Sequence, residues 1–111
     1  MDRIGEVKLR ICVYTAGQAA ASTARLNLAS AFAALLEDGD QLRSERSNVQ
    51  ARVIDLLADP AVAESARVLA TPMYELKVVS ADGRVRGVRR LVGECDRPEV
   101  LRDAARAIGF E

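Results

Sequence analysis

The sequence contains no histidine and only two cysteines, and these absences exclude several kinds of catalytic site. Cys12 and Cys95 are far apart in the sequence and neither belongs to a Cys-x-x-Cys pair. A zinc or iron–sulfur site built by one chain therefore lacks its usual ligands. Without histidine there is also no Ser-His or Cys-His nucleophile pair. We expect neither a metal nor another cofactor.

The sequence also lacks an excess of positive or negative charge, and it lacks long apolar runs. Sixteen Lys and Arg residues balance 16 Asp and Glu residues. Such neutrality argues against a general nucleic-acid-binding surface. No apolar run reaches the ~18 residues of a membrane span. The charged residues 1–6 lead directly into a strand pattern, so we expect an extended or disordered start, no signal peptide and a cytoplasmic location.

The sequence does contain alternating strand and helix patterns, and its length predicts a single domain over residues 1–111. Alternating apolar residues predict a first strand over 7–14 and a second over 49–56, joined through a helix and therefore parallel. Ser22 or Thr23 is the predicted cap of that helix and Gly39 its end. One face of it combines Leu28, Phe32, Leu35 and Leu36. The polar, aperiodic residues 40–48 predict a surface loop.

Two proline-containing pairs organise the second half of the chain. Asp59-Pro60 predicts the N-cap and first residue of a short helix that ends near Arg67 and must lie on the sheet. Pro72 has no N–H to donate and forces Thr71 into an extended conformation, so a third strand begins there.

A hairpin follows, with strands over 73–79 and 85–92 joined by Asp82-Gly83. A two-residue type I′ turn would place Glu75 opposite Arg90, whereas a bulge at Gly83 would place it opposite Arg89. Either ion pair contributes about a few tenths of a kcal/mol if it is exposed. A last helix over 97–108 follows, with Asp96 as its predicted N-cap. The resulting order is βαβαββα, a thioredoxin-like α/β fold with a four-stranded mixed sheet and helices on both faces.

A thioredoxin-type active site needs a thiol where the first strand meets the first helix, because the helix N-terminus stabilises the thiolate. Residues 14–22 contain no cysteine, and we interpret Cys12 as a buried core thiol. Tyr14 or Ser22 could activate a glutathione thiol, so a glutathione transferase or reductase type of enzyme is the alternative function. We favour a partly buried tyrosine and a helix cap.

Two further groups have both a structural and a functional interpretation. Asp55 ends the second strand, and we interpret it as an organiser of the loop that follows, since no second carboxylate lies at a useful spacing for acid–base catalysis. Four arginines could grip an acidic partner or simply protect an edge strand: Arg84, Arg86, Arg89 and Arg90.

Four stretches in this order resemble the KaiB family of cyanobacterial clock proteins and the KaiB-like sensor domain of the histidine kinase SasA. They are Val-Tyr-Thr-Ala-Gly (13–17), Val-Ile-Asp-Leu-Leu-Ala-Asp-Pro-Ala-Val-Ala-Glu (53–64), Val-Leu-Ala-Thr-Pro (68–72) and Arg-Arg-Leu-Val-Gly-Glu-Cys-Asp-Arg-Pro-Glu-Val-Leu (89–101). The similarity covers most of the chain from about Lys8 to Ile108.

The resemblance implies a regulatory protein that binds partners and is not an enzyme. Family members bind the KaiC ATPase ring after switching from a ground state, found in dimers and tetramers, to a thioredoxin-like arrangement. The expected partner is a KaiC-type ATPase, or else a KaiA-like protein or a histidine kinase, in a circadian clock or a related stress response. The positions that match the family motif, and that the resemblance implies bind the partner, are Tyr14, Gly17, Asp55, Thr71, Pro72, Arg89, Arg90 and Gly93.

The hairpin departs from the family, which has a short proline-rich connection at this place. Two other departures are a longer loop after the first helix and a stretch after Gly93 that is one residue shorter. An Asp-Gly hairpin specifies antiparallel pairing, in agreement with the thioredoxin-like arrangement. We therefore expect this chain to rest in that arrangement, with strand and not helix across Glu75 to Val79.

Overall fold

The computed structural model describes residues 7–32, 35–38, 41–44, 49–93 and 97–110, with the backbone alone for 35–38 and 41–44. The predicted state of residues 1–6 and the predicted role of Gly39 lie outside these residues. In chain order the elements are β1 (Val7–Thr15), α1 (Gln18–Ala31), β2 (Leu35–Asp38), β3 (Gln41–Ser44), β4 (Val49–Asp55), α2 (Pro60–Ser65), β5 (Met73–Ser80), β6 (Val85–Val92) and α3 (Pro98–Ala107).

The strands form a six-stranded mixed sheet in the order β2-β3-β4-β1-β5-β6. β1 and β4 are parallel, as a connection through α1 requires, and the other neighbouring strands are antiparallel. The four predicted strands are β1, β4, β5 and β6, and the predicted parallel pair β1-β4 and antiparallel hairpin β5-β6 are confirmed. Residues 75–79 lie in β5, as expected for the thioredoxin-like arrangement.

A short hairpin, β2-β3, extends the predicted sheet on the side of β4. α1 ends at Ala31, so Leu35 and Leu36 lie in β2 and not on the predicted helix face. β3 pairs with β4 from Gln41 to Arg43, so the predicted surface loop is wrong there. A polar stretch held to its neighbour by backbone hydrogen bonds gives no alternating apolar signal, which is why the pattern did not reveal this strand.

The hydrophobic core lies on the face of the sheet that α1 and α3 cover. Alternate residues of the central strand point into it, and Leu9 and Val13 are fully buried. The same periodicity continues in β4 and β5. The remaining core side chains from the helices are mostly small, which allows close approach to the sheet: Ala21, Ala24, Leu28, Ala31, Leu101, Ala104 and Ala105.

α2 lies on the opposite side of the sheet from α1 and α3, and none of its residues is buried. The prediction that this helix lies on the sheet is confirmed at its C-terminal end, although its apolar side chains are too small and too few to bury the helix itself. Its C-terminal end is held by Arg90, whose guanidinium donates to the carbonyl oxygens of Ala66 at 3.0 Å and Arg67 at 3.4 Å.

The turn between β5 and β6 has the glycine bulge that was one of the two predicted alternatives. The Ser80 N–H donates to the Arg84 carbonyl at 2.9 Å, so the loop consists of residues 81–83. Gly83 has a φ of +89°, a conformation that glycine adopts without a steric penalty. Continued without change, this pairing would place Glu75 opposite Arg89.

A second irregularity reverses that shift further along β6. Val85 and Gly87 pair with successive residues of β5, so Arg86 is an extra residue on the β6 side. From Gly87 onward the strands have the register that a two-residue turn would give, so Glu75 lies opposite Arg90. The two predicted alternatives are therefore each half correct.

α2 begins as predicted, with Asp59 as its N-cap and Pro60 as its first residue, whereas α1 and α3 begin at residues other than those predicted. Gly17 is the N-cap of α1, with a φ of +101°, so Ser22 and Thr23 lie inside the helix. Arg97, and not Asp96, is the N-cap of α3, and Pro98 is its first residue. No helix in the described ranges combines the length and apolar character needed to span a bilayer.

The C-terminal end of α3 packs against β6 at Gly87. A Cβ atom added to this glycine would lie 2.8 Å from the Ile108 carbonyl oxygen and 2.9 Å from the Ile108 Cβ atom. Both distances are shorter than van der Waals contact, so the glycine allows the chain after α3 to approach the strand backbone.

Substituting Gly87→Ala should lower the free energy of unfolding by about 1–3 kcal/mol, the usual cost of overpacking. Replacing glycine by alanine in a strand would by itself raise the free energy of unfolding by roughly 0.5–1 kcal/mol. A lower free energy of unfolding would therefore come from the close contact with Ile108. Urea unfolding followed by circular dichroism measures the change. The neighbouring Val88→Ala, exposed and on the other face, is the control, and equal stability of the two variants would contradict the prediction.

Candidate functional site

Four segments that are distant in sequence meet at one end of the sheet. Tyr14 pairs with Met73, and Met73 pairs with Val92, so the end of β1 lies beside the start of β5 and the end of β6. β4 ends at the same place because it is parallel to β1. We call this region the junction end, and it consists of residues 14–18, 55–59, 71–72 and 93.

The carboxylate of Asp55 holds two loops of the junction end together. Its Oδ1 atom accepts hydrogen bonds from the Gly17 N–H at 2.8 Å and the Leu57 N–H at 3.0 Å. Beside it, the buried Thr15 hydroxyl donates to the Ile54 carbonyl at 3.1 Å. The interpretation of Asp55 as a loop organiser is confirmed by these contacts.

The turn from β1 into α1 is the place where a thioredoxin-type enzyme carries its nucleophile. Here the sequence is Ala16-Gly17-Gln18-Ala19, without a thiol. No acidic side chain and no side-chain cap is present in the first turn of α1. The geometry of this turn is fixed by Gly17, whose N–H donates a hydrogen bond to the Asp55 carboxylate.

The Thr71–Pro72 peptide bond is cis and closes the junction end on the side of β5. The Pro72 carbonyl accepts a hydrogen bond from the Gly93 N–H at 3.1 Å, which joins the start of β5 to the end of β6. A cavity of about 470 Å³ lies beside this pair, and it is lined by Ala20, Thr23, Ala24, Thr71, Pro72, Tyr74 and Gly93.

Two buried polar residues near this cavity were missed by the sequence analysis. The Asn27 side-chain amide donates to the Tyr74 hydroxyl at 3.2 Å, and both residues are nearly inaccessible to solvent. The available signal was an asparagine next to Leu28 in an otherwise alanine-rich helix, because a buried amide needs a partner. The pair links α1 to β5.

Tyr14 and Cys12 lie on the face of the sheet that α1 and α3 do not cover. Cys12 is half-buried there, so its interpretation as a core thiol is wrong. Burial raises the pKa of Cys12, and the hydrogen bond from the Tyr14 hydroxyl only partly opposes this effect. Burial, together with that hydrogen bond to Cys12, also raises the pKa of Tyr14. Both groups are therefore held in their neutral forms.

The predicted arginine cluster is divided by the structure. Arg90 contacts Glu75 through two nitrogen atoms, each 2.8 Å from Oε2, and Lys77 lies 3.7 Å from Oε1. The Glu75 side chain is only 12% exposed, so this ion pair is better shielded from water than the predicted surface pair. Arg89 lies on the other face and lines a cavity next to Asp103 of α3.

Most of the residues implied by the family motif are thus near one another. Arg90 lies two residues before Val92, on the face that α1 and α3 do not cover, and Arg89 points to the side of α3. The residues at the junction end are Tyr14, Gly17, Asp55, Thr71, Pro72 and Gly93.

Comparisons with known proteins give a structural likeness. No family model and no curated protein matches the chain. Among solved structures, the oxidised form of mitochondrial thioredoxin 3 from Saccharomyces cerevisiae matches with a TM-score of 0.57 and 16% sequence identity. The match covers 94% of this chain and 82% of the thioredoxin. The chain therefore has the predicted thioredoxin-like fold, extended by the β2-β3 hairpin.

Substituting Asp55→Ala should destabilise the protein by about 1–3 kcal/mol, because two loop N–H groups lose a charged acceptor. Asp55→Asn keeps an acceptor oxygen, so it should lower the free energy of unfolding by less than Asp55→Ala does. The measurement is chemical unfolding, with amide exchange at Gly17 as a local readout. Asp59→Ala is the control, since Asp59 caps α2 without a side-chain hydrogen bond. An Asp55→Ala variant no less stable than Asp59→Ala would contradict the prediction.

Alkylation of Cys12 should require alkaline pH. In a Cys95→Ser variant, the iodoacetamide rate should reach half its maximum above pH 9.0, the ordinary pKa, because burial raises the pKa of Cys12. The folded chain then binds the thiol proton more tightly than the unfolded chain, so this group's contribution to stability is lost as pH rises above 9.0. The same variant unfolded in urea is the control. Faster reaction of the folded chain at pH 7 would contradict the assignment.

Proposed function

We propose that this chain is a non-enzymatic, KaiB-like regulatory protein that binds a KaiC-type ATPase or a related signalling protein. The observation that carries the proposal is the meeting of the motif residues at the junction end. Tyr14, Asp55, Thr71 and Gly93 come from four separate stretches of sequence, yet they surround one end of the sheet. A set of residues that forms one surface is what a binding function requires.

The chemistry of the junction end supports binding over catalysis. Thiol chemistry needs a thiolate, and Cys12 lies inside β1 with a pKa raised by burial. Tyr14 is only 6% exposed and burial raises its pKa, so it is poorly suited to activate a glutathione thiol. The alternative function, a thiol-dependent enzyme of transferase or reductase type, therefore has less support.

The proposal assigns different roles to the two adjacent arginines. Arg90 is engaged by Glu75 and by the carbonyl oxygens at the end of α2, so its role is to position α2 beside the binding surface. Arg89 is exposed at the edge strand and remains available for direct contact with a partner. The partner could equally be a KaiA-like protein or a histidine kinase of the same signalling class.

The test is complex formation with a purified KaiC-type hexamer, with and without ATP, measured by size-exclusion chromatography. We expect an ATP-dependent complex that Arg89→Glu weakens by about tenfold or more, as expected when a charge that contacts the partner is reversed. The control is Arg102→Glu, an equal charge change at an exposed position of α3.

The enzymatic alternative is tested on the same preparations. Insulin-disulfide reduction or saturable glutathione binding would support it and contradict the proposal. A chain that forms no complex in either nucleotide state would also contradict the KaiB-like function.

A further inference from the structure

The face of the sheet opposite α1 and α3, called the open face below, presents its side chains in rows that cross the strands. The pairing of β4, β1, β5 and β6 defines these rows. The first row, at the junction end, is apolar, and the next two are charged. In strand order the rows are Ile54, Tyr14, Met73 and Val92; then Arg52, Cys12, Glu75 and Arg90; then Gln50, Arg10, Lys77 and Val88.

In these described rows of the open face the charges are almost all positive, although the chain as a whole is neutral. Glu75 is the acidic residue of these rows, and Arg90 at 2.8 Å and Lys77 at 3.7 Å already share it. Within the described residues, Lys8, Arg10 and Arg52 have no carboxylate at ion-pair distance, and all three are exposed. Among the side chains that the structure describes, the positive charge of the open face is therefore not balanced by carboxylates on the same face.

The pairing of Arg10 with Lys77 makes this positive charge unfavourable for the stability of the sheet. The two residues are directly opposite each other on antiparallel strands. Like charges in such positions repel and weaken the sheet. A sequence that keeps an unfavourable local choice usually does so at a functional position, and bound carboxylates would remove the repulsion.

The shape and the surroundings of these cations favour a segment of protein as the occupant. A hollow of about 350 Å³ is lined by Arg10, Arg52 and Lys77, among other residues. At the edge of the same face, Val88 is 50% and Val92 54% exposed. A ligand that fills this surface must combine acidic groups with apolar ones.

We propose that the open face is a docking surface for an acidic, partly apolar segment of another protein. Its cations lie on four strands, with neighbouring strands about 5 Å apart and successive rows about 7 Å apart. They are Arg52 on β4, Lys8 and Arg10 on β1, Lys77 on β5 and Arg90 on β6. Several carboxylates of one segment match that spread better than a single phosphate group does. Single-stranded nucleic acid needs exposed aromatic rings for stacking, and the aromatic residue in these rows, Tyr14, is 6% exposed.

The test uses a fluorescein-labelled synthetic peptide of 14 residues, in which glutamate alternates with valine and serine. Binding is measured by fluorescence anisotropy. Wild-type protein should bind it with an affinity that falls as salt rises. Combining Arg10→Glu with Arg52→Glu should weaken binding at least about tenfold, because attraction becomes repulsion. The matched control is Arg102→Glu with Arg106→Glu, two exposed positions on α3, which should change affinity less than about twofold.

A thermal melt shows whether the charge reversals merely unfold the protein. Arg10→Glu places a carboxylate opposite Lys77, so its melting temperature should equal or exceed that of wild type. Loss of peptide binding without loss of stability would support the docking surface. Equal weakening by the α3 control variants would overturn it.

Two other classes of ligand are tested on the same surface. Oligouridine and phosphatidylserine vesicles should bind more weakly than the peptide, and tighter binding of either one through Arg10 and Arg52 would overturn the proposal. No measurable peptide binding at low salt would overturn it as well. Because no KaiC-type protein takes part, failure here and failure of the function proposed above are distinguishable.

Discussion

The strict alternation of side chains along the central strand is the constraint on which the rest of the structure depends. β1 is hydrogen-bonded on both sides, to β4 and β5, so its side chains have only two directions available. Leu9, Ile11 and Val13 point to the helices and build the core. Arg10 and Cys12 point the other way, to the face that α1 and α3 do not cover, where Arg10 is exposed and Cys12 half-buried. One strand thus defines both the side that builds the core and the side for which a docking role is proposed.

Sequence reasoning found those parts of the fold that leave a local signal. Alternating apolar residues located β1 and β4, and Pro72 together with Asp82-Gly83 located β5, β6 and their turn. It failed where local signals are weak or compete. Leu35 and Leu36 fit a helix face in sequence, but pairing with β3 places them in a strand. Propensity is a weak guide when backbone hydrogen bonds to a neighbouring strand are available.

For the candidate site, the sequence identified residues but not their relations. Asp55 was recognised from its place at the end of a strand, whereas its bond to Gly17 depends on a turn whose shape no pattern specifies. Arg89 and Arg90 are adjacent and looked equivalent, yet they lie on opposite faces, since neighbouring strand residues always do. The buried pair Asn27 and Tyr74 was missed, because neither residue belongs to a recognisable motif.

The extra residue in β6 has a consequence for how this protein can evolve. If Arg86 were paired with Val78 instead of being left unpaired, the strand beyond it would be displaced by one position, and every side chain from Gly87 to Val92 would exchange faces. Ile108 would then meet the Arg86 side chain where it now meets bare backbone, and Glu75 would lie opposite Arg89. A single codon deletion at Arg86 would keep every later pair as it is, whereas the same deletion between Gly87 and Val92 would invert the part of the edge strand that follows it.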